Sequence, residues 1–229
     1  MRRRCSIWRS SLVAGMMIST TLGRTNLVLN GSFDDPVEPL KGWKTHYDLP
    51  GDSWYARNRE LVSVVAQESG RTGVLRLHVP TRDIAINQGV KADSIPIPIS
   101  PDQRYRFSAW ARSTGPNCRV LLEGYRWKPG VRPHDNPDIS ELRKCYKFTQ
   151  LYFGAVKAGD MGGVGRSWSQ ASMEFPDAMK SDLQREIYST IRFVVVHIVA
   201  IGGDAGDLFV DDVRLEPIGP IPGGTRSGR

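Results

Sequence analysis

Hydrophobic and polar positions alternate with a period of two in nine short runs, each bounded by Gly, Pro, Asn or Asp. The runs are "NLVLN", "ELVSVVAQ", "GVLRLHV", "RYRFSAWARS", "CRVLLEGYRW", "TQLYFGAV", "SWSQASMEF", "IRFVVVHIVAI" and "DLFVDDVRLEP". Successive side chains of a strand point to opposite faces, so this pattern predicts an all-β sandwich or barrel. In "YRFSAWARS" it places Tyr105, Phe107, Ala109 and Ala111 on a core face and Arg106, Ser108, Trp110 and Arg112 on the other. "IRFVVVHIVAI" is apolar on both faces apart from His197, as expected of a central strand covered on both sides. In "LFVDDVRL" the same rule turns Asp211 inward with Phe209, Val213 and Leu215, and Asp212 outward.

Helical signals are few. "DAMKSDLQREIYS", with Asp177 as a candidate N-cap, and "DISELRK" predict short connecting helices. "KPGVRPHDNPDISELRK" is a long polar insertion with three prolines, and the tail from residue 218 to 229 is expected to be disordered. With no internal linker, residues 24–217 are expected to form a single domain.

Residues 1–23 carry four arginines and no acid, then a 12-residue apolar run ending in small residues. That is the pattern of a cleaved secretory signal peptide, with an uncleaved N-terminal anchor as the alternative, and the run is too short for a good membrane span. A secreted, periplasmic or cell-surface protein with no transmembrane span in its mature form is therefore expected. The formal charge of +7 includes four positive charges in the leader and two in the tail, which leaves the body near +1. A nucleic-acid partner accordingly loses its electrostatic support.

Removing the leader removes Cys5 and leaves Cys118 and Cys145, an even pair in an oxidising compartment. A disulfide closing that loop would stabilise by roughly 3–4 kcal/mol. The alternative is two free thiols. No nucleophile elbow, zinc-protease helix motif or phosphate loop occurs, and His46, His78, His134 and His197 show no ligand spacing. The glycine-rich "GGVG" at 162–165 lacks the strand-to-helix setting of a nucleotide site.

"NLVLNGSFDDP", "GW" at Gly42–Trp43, "ESGRTGVLRLHV", "RYRFSAWAR", "RSWSQASMEF" and "DLFVDDVRLEP" follow the order of a galactose-binding-like jelly roll. The chain most resembles the carbohydrate-binding modules of families four and nine, over about residues 26–217, with "NGSF" and "VDDVRL" as the specific pair. The insertion at 126–165 departs from that pattern. The resemblance implies a structural calcium ion near the chain ends, held by Asp34, Glu68 and Asp211 with carbonyls near Ser32 and Arg71. Calcium takes six to eight oxygens, which suits acids gathered by a fold. Pairing of Asp211 with an arginine or with loop amides is the other way to satisfy an inward carboxylate.

The resemblance also implies binding of polysaccharide or oligosaccharide, with aromatic rings packed on sugar faces. The candidates are Trp54 and Tyr55 in a rim loop, and Trp110, Glu123, Tyr125 and Trp127 on a shared outward sheet surface; Trp43 and Trp168 are expected to be structural. The expected function is that of an exported, monomeric, non-catalytic carbohydrate-binding protein. An envelope-structural or protein-interaction domain, or a jelly-roll hydrolase or lyase, is the alternative.

Overall fold

The computed structural model describes residues 25–45, 58–152, 164–176 and 181–221. Eleven strands occur there: β1 (Trp43–Lys44), β2 (Val62–Glu68), β3 (Arg71–Val79), β4 (Val90–Ser94), β5 (Ile97–Pro98), β6 (Gln103–Ser113), β7 (Pro116–Trp127), β8 (Leu142–Tyr152), β9 (Ser169–Phe175), β10 (Phe193–Gly203) and β11 (Gly206–Pro220). They pair antiparallel into two sheets. The first runs β1-β4-β10-β7-β8, with β5 also on β10; the second runs β2-β3-β11-β6-β9. Two short helices, α1 (Arg82–Asn87) and α2 (Asp182–Ser189), are capped by the hydroxyls of Thr81 and Ser181. The all-β sandwich expected from the alternation, and the jelly-roll type implied by the resemblance, are the fold observed.

The core lies between the sheets. Tyr105, Phe107, Ala109 and Ala111 of β6 are buried in it, opposite Val194, Val196 and Ile198 of β10. A wholly buried side chain such as Phe107 contributes roughly 1.5–3 kcal/mol. β10 lies between β4 and β7, and its outward Phe193 and Val195 are covered by Ile139 and Leu142, which explains why both of its faces are apolar.

Three local readings change. "NLVLN" forms turns rather than a strand, and "DISELRK" holds only a 3-10 turn at Ile139–Glu141 before β8 begins at Leu142. The last strand continues to Pro220, past the expected domain end at 217. The short strands β1, β4 and β5 were not anticipated, because runs of two to five residues carry too little alternation to stand out.

The inward placement of Asp211 is corrected. Between Asp211 and Arg214 the register on β6 moves only from Trp110 to Ser108, so β11 holds one extra residue there. Asp212 takes the left-handed conformation at φ 49°, a region that Asp tolerates better than most residues. The bulge reverses the phase. Leu208 and Val210 face the core before it and Val213 and Leu215 after it, while Phe209 and Asp211 stand on the outer face.

This bulge is where the chain ends meet. Leu27 N–H donates to the Leu215 carbonyl at 2.8 Å, and Val213 N–H donates to the Gly31 carbonyl at 2.8 Å. The Asn26 amide donates to the Val213 carbonyl at 3.0 Å and accepts from Leu215 N–H at 2.9 Å. The "NGSF" and "VDDVRL" segments, far apart in sequence, thus complete each other's hydrogen bonding.

The expected disulfide is also corrected: Cys118 and Cys145 are free thiols. Cys118 pairs with Ala200 near the start of β7, whereas Cys145 contacts the Gly124 carbonyl six residues further along that strand. Six residues of strand separate the two positions by about 20 Å, far beyond disulfide reach. Burial pushes the Cys118 thiol up, and burial also raises Cys145.

Candidate functional site

Trp110 lies on the outer face of the second sheet, whereas Glu123, Tyr125 and Trp127 lie on the outer face of the first. The shared aromatic surface expected from sequence is therefore split across the two sides of the sandwich.

On the second sheet, the Arg71 guanidinium lies 4.5 Å from the Trp110 ring centroid and 5.0 Å from that of Trp168. It also donates to Asp211 at 2.7 Å and to Asp212 at 3.4 Å. Beside it Arg112 pairs with Glu68 and stacks over Phe209. Trp110 and Trp168 are thus covered by an arginine held in place by carboxylates, an arrangement that satisfies the face from within.

The same contacts bear on calcium. Asp211 faces Arg71, Glu68 faces Arg112, and Asp34 is exposed with its carboxylate against Gly73. Among the described residues no three His, Cys, Asp or Glu side chains gather into a possible metal site. Ser32, Asp34, Glu68, Arg71 and Asp211 would hold a calcium ion only if Asp211 and Glu68 exchanged their guanidinium partners, Arg71 and Arg112, for it. Without an ion, Arg71→Ala is expected to lower stability by about 2–4 kcal/mol by stranding Asp211. A melt that falls in chelator and recovers with calcium would place the ion beside Asp211, and an unchanged melt would leave the ion pairs alone to satisfy it.

On the first sheet, register brings together a row of polar side chains. Lys44 of β1 is opposite Asp93 of β4, and Asp93 is opposite His197 of β10. Glu123 of β7 is opposite Val195, one outward position further along β10. His197 Nδ1 is 2.8 Å from Asp93 Oδ1, and Nε2 lies 3.3 Å from Glu123 Oε2, off hydrogen-bond alignment, as an ion pair. Glu123 accepts from the Tyr125 hydroxyl at 3.1 Å and from Lys144 Nζ at 3.2 Å. Lys91 Nζ stands 4.0 Å from Asp93 Oδ2.

Burial disfavours the imidazolium, but Asp93 and then Glu123 outweigh it and hold His197 up to about 9. Contact with His197 outweighs desolvation and, with Lys144 assisting, brings Glu123 down to about 2. Burial, together with the Glu123 charge, pushes the Tyr125 phenol up. His197 stays charged and Glu123 stays ionised at neutral pH. Neither lies near the value that favours proton transfer there.

Beside this row opens a cavity of about 390 Å³. Its polar lining is Lys44, Lys91, Asp93, Ser94, Asp138 and His197, and Ile95, Pro96, Pro137 and Ile139 form apolar walls. A concave, largely apolar site with a few convergent polar groups is the usual form of a small-ligand site. Tyr125 and Trp127 do not line it. Tyr125 is buried against Phe193, and the Trp127 ring meets Phe193 edge-on at 5.3 Å and His134 at 5.2 Å.

Trp43, buried and 5.2 Å from Phe33, is structural as expected. Trp54 and Tyr55 lie outside the described residues. Of the described residues that flank them, the Asn58 amide donates to the carbonyls of Thr45 at 2.7 Å and Lys91 at 2.8 Å. Thr45 and Asn58 are therefore tied beside the cavity.

Sequence reasoning missed Lys44, Lys91 and Asp93. The available signals were weak: an aspartate within the apolar "VKADSIPIPI", and His197 as the one polar interruption of β10.

Residues 25–126 match the carbohydrate binding domain family. The likeness read from the sequence thus holds over the segment that supplies Lys44, Lys91 and Asp93. No curated protein matches the chain. Among solved structures, the N-terminal cellulose-binding domain from Cellulomonas fimi β-1,4-glucanase C is 17% identical, covering 85% of this chain and 98% of that one with a TM-score of 0.45. The CBM22-1 xylan-binding domain from Paenibacillus barcinonensis Xyn10C is 10% identical, covering 86% and 97% with a TM-score of 0.45. A cyclase from Fischerella sp. TAU, in complex with 4-(1H-indol-3-yl)butan-2-one, is 14% identical, covering 85% and 97% with a TM-score of 0.47.

Proposed function

We propose that this chain is a non-catalytic carbohydrate-binding protein whose ligand occupies the cavity on the outer face of the first sheet. The observation that carries this reading is the convergence of Lys44, Lys91, Asp93 and His197 on one apolar-walled cavity. Three of those four side chains lie in the segment that matches the family. A sugar ring offers hydroxyls to ammonium and carboxylate groups and C–H faces to Ile95, Pro96 and Ile139. Burying those C–H faces is favourable by about 25 cal/mol per Å². Fixed charges that stay fixed across neutral pH suit recognition of hydroxyls better than proton transfer.

The leader-like residues 1–23 support export as part of the same proposal. Among the described residues no helix is long and apolar enough to cross a membrane.

Affinity electrophoresis in soluble glucan, xylan and galactan is expected to retard the protein in at least one gel. Lys44→Ala, at the cavity rim, is expected to weaken the interaction about ten- to hundred-fold, as for one lost charge-assisted hydrogen bond. Free migration in all three gels would favour the structural or protein-interaction reading. Release of reducing ends or unsaturated products would favour an enzyme.

A further inference from the structure

The cavity is closed on one side by the insertion between β7 and β8. Ile139 packs onto the outward cluster of Tyr125, Leu142, Phe193 and Val195. Val195 is wholly buried although it stands in the outward phase of the central strand. Among the described residues, the insertion therefore covers the β7–β8 half of this face and leaves the β1–β4–β10 half open.

Its own hydrogen bonds brace it. Asp138 accepts from Ser140 N–H at 2.8 Å, and Asp138 N–H donates to Glu141 Oε2 at 2.8 Å. Glu141 also meets His134 at 3.2 Å, and its carbonyl accepts from Lys128 N–H at 3.1 Å. Pro137, Asp138 and Ile139 then form one wall of the cavity, facing Lys44, Ile95 and Pro96 across it.

We infer that this wall makes the site a dead-ended pocket for a short saccharide or the terminal unit of a chain, rather than a groove for the interior of a polymer; the inference rests on the sugar-binding reading above. A polymer crossing the strands from β1 would meet the insertion over β10 and β7. At about 390 Å³ the cavity is at the small end of ligand sites, which run from about 300 to 1,000 Å³. Its lining sets Lys44, Lys91 and His197 against Asp93 and Asp138, while the underlying Glu123 is shared between His197 and Lys144. The pocket thus presents both donors and acceptors, which suits the hydroxyls of a sugar.

Isothermal titration with β-1,4-linked gluco-, xylo- and galacto-oligosaccharides of one to six units tests this. In the series that binds, the association constant is expected to level off by two units and to change less than about threefold from there to six. Partial hydrolysis of the matching polymer is expected to raise the bound protein per gram in proportion to new chain ends. A rise of tenfold or more between two and six units would overturn the pocket and leave sugar binding intact. Absence of binding at every length would overturn both. Replacing residues 129–137 with a four-residue Gly/Ser turn is expected to introduce that tenfold length dependence. A melting scan checks that the variant folds; if it does not, the wild-type series decides alone.

Discussion

His197→Leu is expected to destabilise the protein by about 3–5 kcal/mol in urea unfolding at pH 6, the largest effect of any single polar substitution here. The side chains of Asp93, Glu123 and His197 are only 9%, 11% and 14% exposed. Removing the imidazolium leaves two nearly buried carboxylates on one sheet face. Asp93 then keeps Lys91 at 4.0 Å and Glu123 keeps Lys144 at 3.2 Å, so each nearly buried carboxylate loses one of its cationic partners, which costs stability. A loss below about 1 kcal/mol would show that the row is well solvated.

The same row sets a pH profile. His197 is raised from 6.5 to about 9 on folding, so its contribution is fully present below pH 6.5 and is lost as pH rises toward 9. Glu123 is lowered from 4.5 to about 2, so its contribution is present above pH 4.5 and is lost as pH falls toward 2. Wild-type stability should therefore peak between about pH 4.5 and 6.5. In His197→Leu the decline between pH 6.5 and 9 should disappear.

Gly31→Ala is the second large expectation. An ideal Cβ on Gly31 would sit 2.0 Å from the Val213 carbonyl oxygen and 3.2 Å from Asn26 Nδ2. The obstruction is backbone of the bulged strand, so no rotamer change relieves it. The two ends of the chain must separate, breaking the Val213–Gly31 and Asn26–Val213 hydrogen bonds. A loss of about 3 kcal/mol is expected, lowering the melting temperature by roughly 6–12 °C. Gly130→Ala is the control. Nothing lies within 4 Å of its Cβ position, and its φ of +84° alone costs about 1 kcal/mol. Equal losses in the two variants would refute the clamp.

The outer face of the first sheet and the paired acids near the chain ends show two different limits of sequence reading. Alternation assigned Glu123, Tyr125 and Trp127 to one face correctly, because a period of two needs only neighbours along one strand. It could not say that this face would be covered by residues 128–141, which is a contact between elements. Likewise the acids near the chain ends are legible as acids. Their pairing with Arg71 and Arg112 depends on where the tip of the β2–β3 hairpin falls, and no local pattern encodes that.

The sequence by itself determined an all-β sandwich or barrel, the core face of β6 and the central position of β10, because each follows from side-chain period. The choice of the sandwich and the meeting of the two signature ends were what the family resemblance implied. Only the tertiary structure decided which way Asp211 faces, since one residue in the left-handed region shifted the phase of β11. It also decided that Cys118 and Cys145 lie about 20 Å apart along paired strands. Above all, it decided that Lys44, Asp93 and His197, from three separate strands, meet at one cavity. That meeting is set by antiparallel register between strands, and register is a property of the assembled sheet.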